Sequence, residues 1–237
     1  MCIIYFDCSS VTELLSLRLR AMKSKNNLLP TRIMSLKTPL TLICTNLDIM
    51  ETEIGANEWL SDIREEAEIM TELVNRLVSL ARMDEDGTKL TKEPFSLSEV
   101  VLDTVSAFAQ HINSQRKRLL TDVPDHISYH GNEAAMRQLI SILLDNAVKY
   151  CDPDGMIRVT LRGGKHPVIL VDNSYMAVGR MELDRLFDRF YRADKARTYG
   201  SGFGIGLSIA KAIVEKHHGN IKASPLEDNM IRFQVSL

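Results

Sequence analysis

The chain has 237 residues, a formal net charge of -2 and 45% hydrophobic residues. This length allows one large domain or two modest ones, and the charge gives none of the basic excess typical of nucleic-acid-binding proteins. The four cysteines lie far apart without a CxxC pair, so we interpret them as reduced thiols in a cytoplasmic protein, not as a zinc site or disulfide framework. No apolar run reaches the roughly 18 residues that a membrane helix needs, so we expect any membrane anchor to lie outside this chain.

Residues 1–29 carry no motif and are left unassigned. Apolar residues then recur at spacings of four and three along two stretches, which is the heptad seam of packed helices. The seams consist of Leu36, Leu40, Ile43, Leu47 and Met50, and then of Leu60, Ile63, Ala67, Met70, Val74, Leu77 and Ala81. With a break at Gly55, residues 30–83 are predicted to form an antiparallel helical hairpin. One hairpin buries its seam poorly, so we expect two copies to pair as a four-helix bundle; the alternative is a hairpin packed on its own domain.

Residues 84–94 are polar and include Gly87 and Pro94, which predicts an interdomain linker before a second domain at 95–237. The patterns in that domain predict helices at 98–113, 132–150, 181–190 and 203–217, strands at Met156–Leu161 and Pro167–Val171, and a terminal hairpin at 219–237. Antiparallel strands with helices on one face form an α/β sandwich, so the whole chain is predicted to be α+β.

Four glycines alternate along residues 200–206 and precede a predicted helix. Glycine lets backbone amides approach a ligand closely, and the helix offers unpaired N–H groups and its positive dipole end to an anion. The segment therefore suggests a phosphate cradle, with a flexible turn as the alternative. A P-loop is disfavoured because Lys-Ser or Lys-Thr does not follow the last glycine, and a dinucleotide-binding turn is disfavoured by the position near the C-terminus.

A second polar group lies in the segment LLDNAVKY, residues 143–150. On a helix, Asn146, Lys149 and Tyr150 share one face. An amide oxygen, an ammonium and an aromatic ring suit a metal ion, a phosphate and a base, because an amide oxygen can bind Mg²⁺ while nucleotide phosphates supply further oxygens. A solvated helix face is the alternative.

A third feature is Asp172, which ends the apolar segment ILVDN at residues 169–173. A carboxylate at the end of a strand can accept a hydrogen bond from the amino group of adenine. The alternative is an aspartate that serves a turn.

These elements occur in this order, with LFDRFYRAD (186–194) between the last two, and the combination resembles the histidine-kinase branch of the ATPase superfamily that also includes Hsp90, gyrase and MutL. Asp145–Tyr150 resembles its N-box, Phe187–Arg192 its F-box and Gly202–Lys211 its second glycine box. LKTPLT at 36–41 resembles the end of the family's phosphoacceptor motif, S-H-E-L-K-T-P-L-T. The resemblance covers roughly residues 33–237.

The resemblance implies the cytoplasmic core of a two-component sensor histidine kinase, with a Bergerat-type domain that binds ATP and Mg²⁺. It implies that Asn146 holds Mg²⁺, that Asp172 binds adenine, and that Tyr150 lines the base or the ribose. Lys149 and Arg192 would contact the phosphates.

The resemblance also implies that residues 193–203 form a short mobile lid, with Gly202, Gly204, Gly206 and Leu207 in the nucleotide site at its far end. The implied partners are a second copy of the chain, joined through the hairpin, and the receiver domain of a response regulator. A membrane would be reached only through a sensor segment outside this chain.

The phosphoacceptor motif is incomplete, because Ile33-Met34-Ser35 stands where the family has Ser-His-Glu before Leu36. Either Met34 replaces the histidine, or His-Glu is absent between Ser35 and Leu36; we prefer the second, since its insertion would restore the whole motif. Histidine does not occur before His111. Methionine has no nucleophilic nitrogen, and a serine hydroxyl lacks the ready lone pair of imidazole. Thr38 remains, at the position that in relatives helps to orient water for dephosphorylation of the response regulator.

A second departure is the first glycine box, D-x-G-x-G in the family, which here continues from Asp172 without either glycine. Ile142 also stands where many relatives have a first asparagine. Three functions follow as hypotheses: an ATP-dependent phosphotransferase acting on histidine, a pseudokinase that binds ATP and a response regulator or an intact kinase, and a serine or threonine kinase of the anti-sigma type. The third does not explain LKTPLT on a heptad helix.

Overall fold

The computed structural model describes residues 36–55, 57–84, 91–192 and 203–237, apart from the side chains of 80–84 and 180. Residues 1–29 and the segment Ile33–Ser35 lie outside these ranges. The described helices are α1 (Lys37–Ile54), α2 (Glu58–Asp84), α3 (Leu97–Ser114), α4 (Glu133–Tyr150) and α5 (Gly206–Lys216). The described strands are β1 (Glu93–Ser96), β2 (Arg118–Asp122), β3 (Ser128–Gly131), β4 (Met156–Arg162), β5 (Val168–Ser174), β6 (Asn220–Leu226) and β7 (Met230–Ser236). Strand β1 thus begins inside the segment that the sequence assigned to a linker.

Helices α1 and α2 form the predicted antiparallel hairpin. Leu47, Leu60 and Ala67 are buried between them. Arg64 of α2 also reaches across to α1, where its guanidinium lies 2.8 Å from the carboxylate of Asp48 and 2.7 Å from that of Glu51. Exposed ion pairs stabilise little, so the apolar seam contributes most to holding the two helices together.

Each heptad seam is only partly buried within the chain. Ile63 and Met70 are 50% and 52% exposed, although they alternate along α2 with the buried Leu60 and Ala67. Ile43 and Met50 on α1, and Leu36 just before it, are likewise exposed. The hairpin therefore presents a second apolar stripe to solvent.

The C-terminal half of α2 packs against the second domain. Val74, Leu77 and Val78 belong to the same buried cluster as the core of that domain. Alongside them, the side-chain amide of Gln138 on α4 donates a hydrogen bond of 3.0 Å to the hydroxyl of Ser79. One end of the hairpin therefore lies directly on the domain that carries the glycine-rich segment.

The second domain contains a five-stranded sheet in the order β2-β4-β5-β7-β6. The pairs β4–β5, β5–β7 and β6–β7 are antiparallel, as predicted, with Asp172 opposite Arg232 in the β5–β7 register. The pair β2–β4 is parallel, so the sheet is mixed and the expectation of antiparallel strands alone was wrong there. Strands β1 and β3, which the sequence did not predict, form a separate two-stranded sheet. Helices α3, α4 and α5 cover one face of the large sheet.

Side-chain caps begin two of these helices. The Ser96 hydroxyl accepts a hydrogen bond from the Glu99 N–H at the start of α3, and the Asn132 side chain accepts one from the Ala135 N–H at the start of α4. Such caps each contribute about 1 kcal/mol. The Asn132 cap fixes where α4 begins, and hence which residues of α4 face the pocket described below.

The short helix expected at 181–190 is instead two 3₁₀ turns, Val178–Arg180 and Leu183–Phe187. Phe187 packs edge to face on Phe233 of the sheet, and Phe190 has φ of 63°, which an α-helix does not accommodate. Packing against the sheet therefore overrides the helical pattern of this segment. Nowhere in the described ranges is a helix both long and apolar enough to cross a membrane.

Candidate functional site

A pocket lies between α4, the N-terminal end of α5 and the adjoining parts of β5 and β7. It is lined by Arg76, Ile142, Asp145, Asn146, Lys149, Tyr150, Asn173, Tyr175, Met181, Leu186, Tyr191, Arg192, Phe203, Gly204, Gly206, Leu207, Ile231 and Phe233. Apolar walls with a few convergent polar groups are typical of small-molecule sites.

Helix α4 contributes the three residues that the sequence placed on one face. Asn146, Lys149 and Tyr150 all line the pocket, together with Ile142 and Asp145 one turn earlier. The ammonium of Lys149 lies 3.3 Å from a carboxylate oxygen of Asp145. A single helix face therefore offers an amide, a cation and an aromatic ring to the same ligand.

The N-terminal end of α5 forms the opposite wall. The helix begins at Gly206, and the cap residue Ile205 provides no side-chain hydrogen bond to its first amides. Gly204, Gly206 and Leu207 all line the pocket. The amides of the first helical turn and the positive end of the helix dipole thus favour an anionic ligand in this part of the pocket.

Gly204 occupies a position that other residues cannot adopt without strain. Its φ is 67°, and an added Cβ would lie 2.6 Å from the carbonyl oxygen of Tyr191. The carbonyl oxygen of Gly204 in turn accepts a hydrogen bond of 2.9 Å from the N–H of Phe190. This contact joins the two ends of the segment 193–202, which includes the predicted binding residue Gly202 and lies outside the described residues. Arg192, at the near end, lines the pocket.

Asp172 does not line the pocket. Its carboxylate is fully buried and forms two hydrogen bonds of 2.7 Å with the guanidinium of Arg232. Successive side chains of a strand point to opposite faces, and Ile169 and Val171 belong to the core beneath the helices. Asp172 therefore lies on the other face of the sheet, where Arg232 already occupies both of its oxygens. The structure thus separates Asp172 from the other predicted binding residues.

The neighbouring Asn173 lines the pocket instead, and sequence reasoning did not single it out. Its side chain is fully buried, and its Nδ2 donates a hydrogen bond of 3.2 Å to the backbone oxygen of Ser174. Its Oδ1 is buried and accepts no hydrogen bond from any residue in the described ranges. Ile169, Val171 and Asn173 share one face of the strand, but residues 168–171 are all apolar, so no period of two in the sequence could have identified Asn173.

Arg76 of α2 is a second lining residue that the sequence reasoning missed. Its guanidinium lies 3.4 Å from a carboxylate oxygen of Asp145 and also pairs with Glu72. The sequence of α2 shows only a heptad pattern. Its contribution to the pocket depends on how α2 packs on the second domain, which that pattern does not predict. The predicted residue Thr38 lies elsewhere, exposed in the first turn of α1.

The polar residues in the pocket fit Mg²⁺ held jointly with a phosphorylated ligand. Asn146 offers an amide oxygen, and Asp145 lies beside it. Within the described ranges, no group of three or more His, Cys, Asp and Glu side chains could hold a metal ion by itself. Mg²⁺ often takes only one or two protein ligands and completes its shell with phosphates and water.

His217 supports the site from outside the pocket. Its Nε2 accepts a hydrogen bond of 3.1 Å from the N–H of Asn132, the cap residue of α4, and its Nδ1 donates one of 2.8 Å to the backbone oxygen of Ile213. Burial lowers the pKa of His217. The neutral imidazole therefore joins the end of α5 to the start of α4, the two helices that line the pocket.

Comparison with known proteins identifies relatives for most of the chain. Residues 131–237 match the family described as histidine kinase-, DNA gyrase B-, and HSP90-like ATPase. The chain is 32% identical over 203 residues to the sensor protein DltS of Streptococcus agalactiae serotype V, covering 85% of this chain and 51% of the relative. It is 31% identical over 202 residues to the sensor protein kinase WalK of Staphylococcus saprophyticus, covering 81% and 33%. The chain thus spans about half the length of DltS and about a third of WalK.

Solved structures share the fold. Full-length ShkA in complex with AMPPNP superposes with a TM-score of 0.74 at 18% identity, covering 88% of this chain and 44% of that chain. The histidine kinase AdeS of Acinetobacter baumannii superposes with a TM-score of 0.63 at 19% identity, covering 86% and 96%. At these identities the likeness concerns the fold alone.

Proposed function

Since this chain carries a histidine kinase-type ATPase domain and is homologous to sensor histidine kinases, we propose that it binds Mg-ATP as the cytoplasmic core of a two-component signalling protein. The observation that carries the proposal is the convergence of one face of α4 and the uncapped N-terminus of α5 on one pocket. The AMPPNP bound to ShkA supports an adenine nucleotide as the ligand. We further propose that residues 30–83 act as a dimerisation domain and residues 95–237 as the ATP-binding domain.

Lys149 and Arg192 would neutralise phosphate charge, while the first amides of α5 would donate hydrogen bonds to phosphate oxygens. Asn146 would hold Mg²⁺, which when bound polarises the phosphates and screens their charge. Tyr150 would pack against the base or the ribose. Phosphoryl transfer needs little covalent chemistry from the protein, so positioning and charge neutralisation by these groups would account for most of the catalysis.

Self-phosphorylation is the step that the sequence does not support. Histidine is absent from residues 1–110 of this chain, whereas the family's phosphoacceptor motif is otherwise kept from Leu36 onward. The favoured reading is a phosphotransferase of the histidine kinase family whose own acceptor is missing. The missing acceptor also favours a second candidate, a pseudokinase that binds ATP and a response regulator or an intact kinase. In both, the exposed Thr38 would be available to a docked receiver domain.

Dimerisation through the hairpin is supported by the exposed positions of its heptad seams. Ile63 and Met70 are separated by seven residues, as are Leu36, Ile43 and Met50, which is the spacing that a partner helix would match. A second copy of the same hairpin would cover both stripes and complete a four-helix bundle. The partner we propose is therefore another copy of this chain.

The first experiment measures binding of Mg-ATP by calorimetry to the purified chain and to Asn146→Ala. We expect binding by the parent chain and its loss, or a reduction of at least about 10-fold, in the variant, because the variant removes the amide ligand. Asn113→Ala is the matched control, since Asn113 is an exposed asparagine on α3 outside the pocket. Equal affinity in all three proteins would remove the metal assignment.

The second experiment incubates the chain with Mg²⁺ and γ-labelled ATP, and then tests protein-bound label for acid lability. We expect no label on the parent chain and acid-labile label after insertion of His-Glu between Ser35 and Leu36. Acid-labile label on the parent chain would mean that another histidine serves as the acceptor. An insertion variant that dimerises and binds ATP but takes no label would exclude the deletion as the reason for inactivity.

A further inference from the structure

Arg76 is a cation of the pocket that belongs to the hairpin, whereas the other lining residues belong to the second domain. It lies on α2, and its partly buried side chain lines the pocket together with residues of α4 and α5. Val74, Leu77 and Val78 pack the same stretch of α2 into the core of the second domain. Buried apolar contacts before and after Arg76 therefore fix its position relative to the pocket.

The guanidinium of Arg76 lies at the start of α5. A Cβ added to Gly206, the first residue of that helix, would lie 3.3 Å from Nη1 of Arg76. Glycine at this position thus leaves room for the guanidinium beside the N-terminal end of the helix. The positive end of a helix dipole repels a cation, so this placement is favourable only where negative charge lies close to both.

Two carboxylates partner the guanidinium, and one of them is shared. Nη2 of Arg76 contacts Glu72 on its own helix and lies 3.4 Å from Oδ2 of Asp145 on α4. The same Oδ2 lies 3.3 Å from the ammonium of Lys149. Both distances exceed the roughly 2.7–2.9 Å of a strong charge-assisted hydrogen bond, and partly exposed ion pairs stabilise little. An anion of higher charge can therefore draw Arg76 away from Asp145 at modest cost.

We propose that Arg76 is a phosphate-binding residue that the hairpin contributes to the nucleotide site, and that it exchanges Asp145 for the phosphates when Mg-ATP binds. This proposal rests on the proposed binding of Mg-ATP and adds to it a link between the two domains. Nη1 already lies beside the first residue of α5, where an anion is favoured. A nucleotide bound there contacts both α2 and the second domain, so its binding and the packing of α2 on that domain stabilise each other.

The first measurement is the affinity for Mg-ATP, by calorimetry, of the parent chain, Arg76→Met and Arg64→Met. Methionine keeps an apolar stem and removes the charge. Arg64 is the matched control, because it also lies on α2 and contacts two carboxylates, those of Asp48 and Glu51, but does not line the pocket.

We expect Arg76→Met to weaken the binding of Mg-ATP by about 5- to 20-fold. A hydrogen bond to a charged group contributes roughly 10- to 100-fold to an equilibrium constant, and the contact with Asp145 that the parent chain gives up offsets part of it. Arg64→Met should change the affinity by less than about 2-fold, because exposed ion pairs away from the ligand contribute little.

Hydrogen exchange provides a readout that a merely structural arginine would not affect. Mass spectrometry follows the amides of residues 70–79 on α2 and 142–150 on α4, with and without saturating Mg-ATP for each protein. We expect Mg-ATP to slow exchange in both segments of the parent chain by at least about 3-fold, because a ligand that contacts a segment opposes its local opening. In Arg76→Met, we expect Mg-ATP to protect residues 142–150 alone.

The outcomes separate this proposal from the one on which it rests. If the parent chain does not bind Mg-ATP, the proposed nucleotide binding itself fails. If the parent chain and Arg76→Met bind equally well, nucleotide binding stands and Arg76 is not a phosphate ligand. If Arg76→Met binds more weakly but Mg-ATP still protects residues 70–79, Arg76 acts only by balancing the charge of Asp145, and the proposed link through α2 is overturned. Weaker binding together with loss of protection in α2 alone supports the proposal.

Discussion

Replacing Gly204 by alanine tests whether the backbone at this position, just after the segment 193–202, requires glycine. Two separable costs follow from its geometry. At φ of 67° an L-residue adopts the left-handed region, which costs about 1 kcal/mol. The added Cβ would also lie 2.6 Å from the carbonyl oxygen of Tyr191 and 2.9 Å from the carbonyl carbon of Phe190. Because both are backbone atoms, a side-chain rotation cannot relieve the contact.

We therefore expect Gly204→Ala to lower the free energy of unfolding by about 3 kcal/mol, of which about 1 kcal/mol is backbone strain and the rest is the displacement of the Phe190–Gly204 contact.

Two other glycines provide controls in the same chain. Gly55 has φ of 76° and ψ of 167° with no atom within 4 Å of an added Cβ, so Gly55→Ala should cost only the backbone strain, about 1–2 kcal/mol. Gly179 has neither feature, so Gly179→Ala should change stability by less than about 0.5 kcal/mol.

The assay is urea unfolding of the three variants and the parent chain, with stability compared at an unchanged denaturant dependence. Mg-ATP affinity is measured in parallel at a temperature where all are folded. Only Gly204→Ala should lose affinity, because Gly204 lines the pocket together with Phe203, Gly206 and Leu207. Equal effects of Gly204→Ala and Gly55→Ala on stability would refute the reasoning from close backbone contact. Unchanged ATP affinity in Gly204→Ala would refute the part of it that concerns the pocket.

Three further predictions concern the interface, a buried ion pair and pH. Met70→Glu, at an exposed position on α2, should convert a dimer into a monomer in sedimentation experiments while leaving the helical circular dichroism signal unchanged; a persistent dimer would place the interface elsewhere. Arg232→Met should lower the free energy of unfolding by about 3 kcal/mol, because it leaves the buried carboxylate of Asp172 without its partner, and the double variant that adds Asp172→Leu should recover most of that loss. Burial lowers the pKa of His217 below 6.5, so between the lowered value and about 6.5 the unfolded state binds more protons than the native state. The free energy of unfolding should therefore fall as the pH drops through that window. His217→Gln should flatten this part of the plot of stability against pH, and an unchanged slope would show that other groups cause it.

Long, strongly periodic segments could be predicted from the sequence, whereas short strands and side-chain direction could not. The heptad seams identify α1 and α2, and the helical pattern at 132–150 agrees with α4 to within one residue at its start. Strands β1 and β3 have four residues each, too few for a period of two to be distinguished from chance. The segment 181–190 carries a helical pattern, but packing of its aromatic residues against the sheet determines its conformation.

The pocket shows the same distinction between pattern and direction. One helical period fixes Asn146, Lys149 and Tyr150 relative to each other, so their convergence follows from the sequence. Whether Asp172 or Asn173 faces the ligand depends on the phase of β5, and five of its seven residues are buried on both faces. The sequence therefore shows no apolar alternation in β5. Only the ion pair of Asp172 with Arg232 on the adjacent strand shows that Asp172 faces away from the pocket.

The incomplete acceptor motif and the intact pocket are physically independent of each other. A loss of two residues before Leu36 rotates the preceding chain by about 200° about the helix axis but leaves the phase of everything after it unchanged. The seam positions Leu40, Leu47, Leu60 and Ala67 are buried in the register that the heptad predicts. The pocket is built almost wholly from residues after 141. Absence of the acceptor would therefore remove a nucleophile without changing the proposed dimer surface or the proposed nucleotide site. For this reason we expect ATP binding and dimerisation to persist in a chain that does not phosphorylate itself, and reinsertion of His-Glu to restore only the missing step.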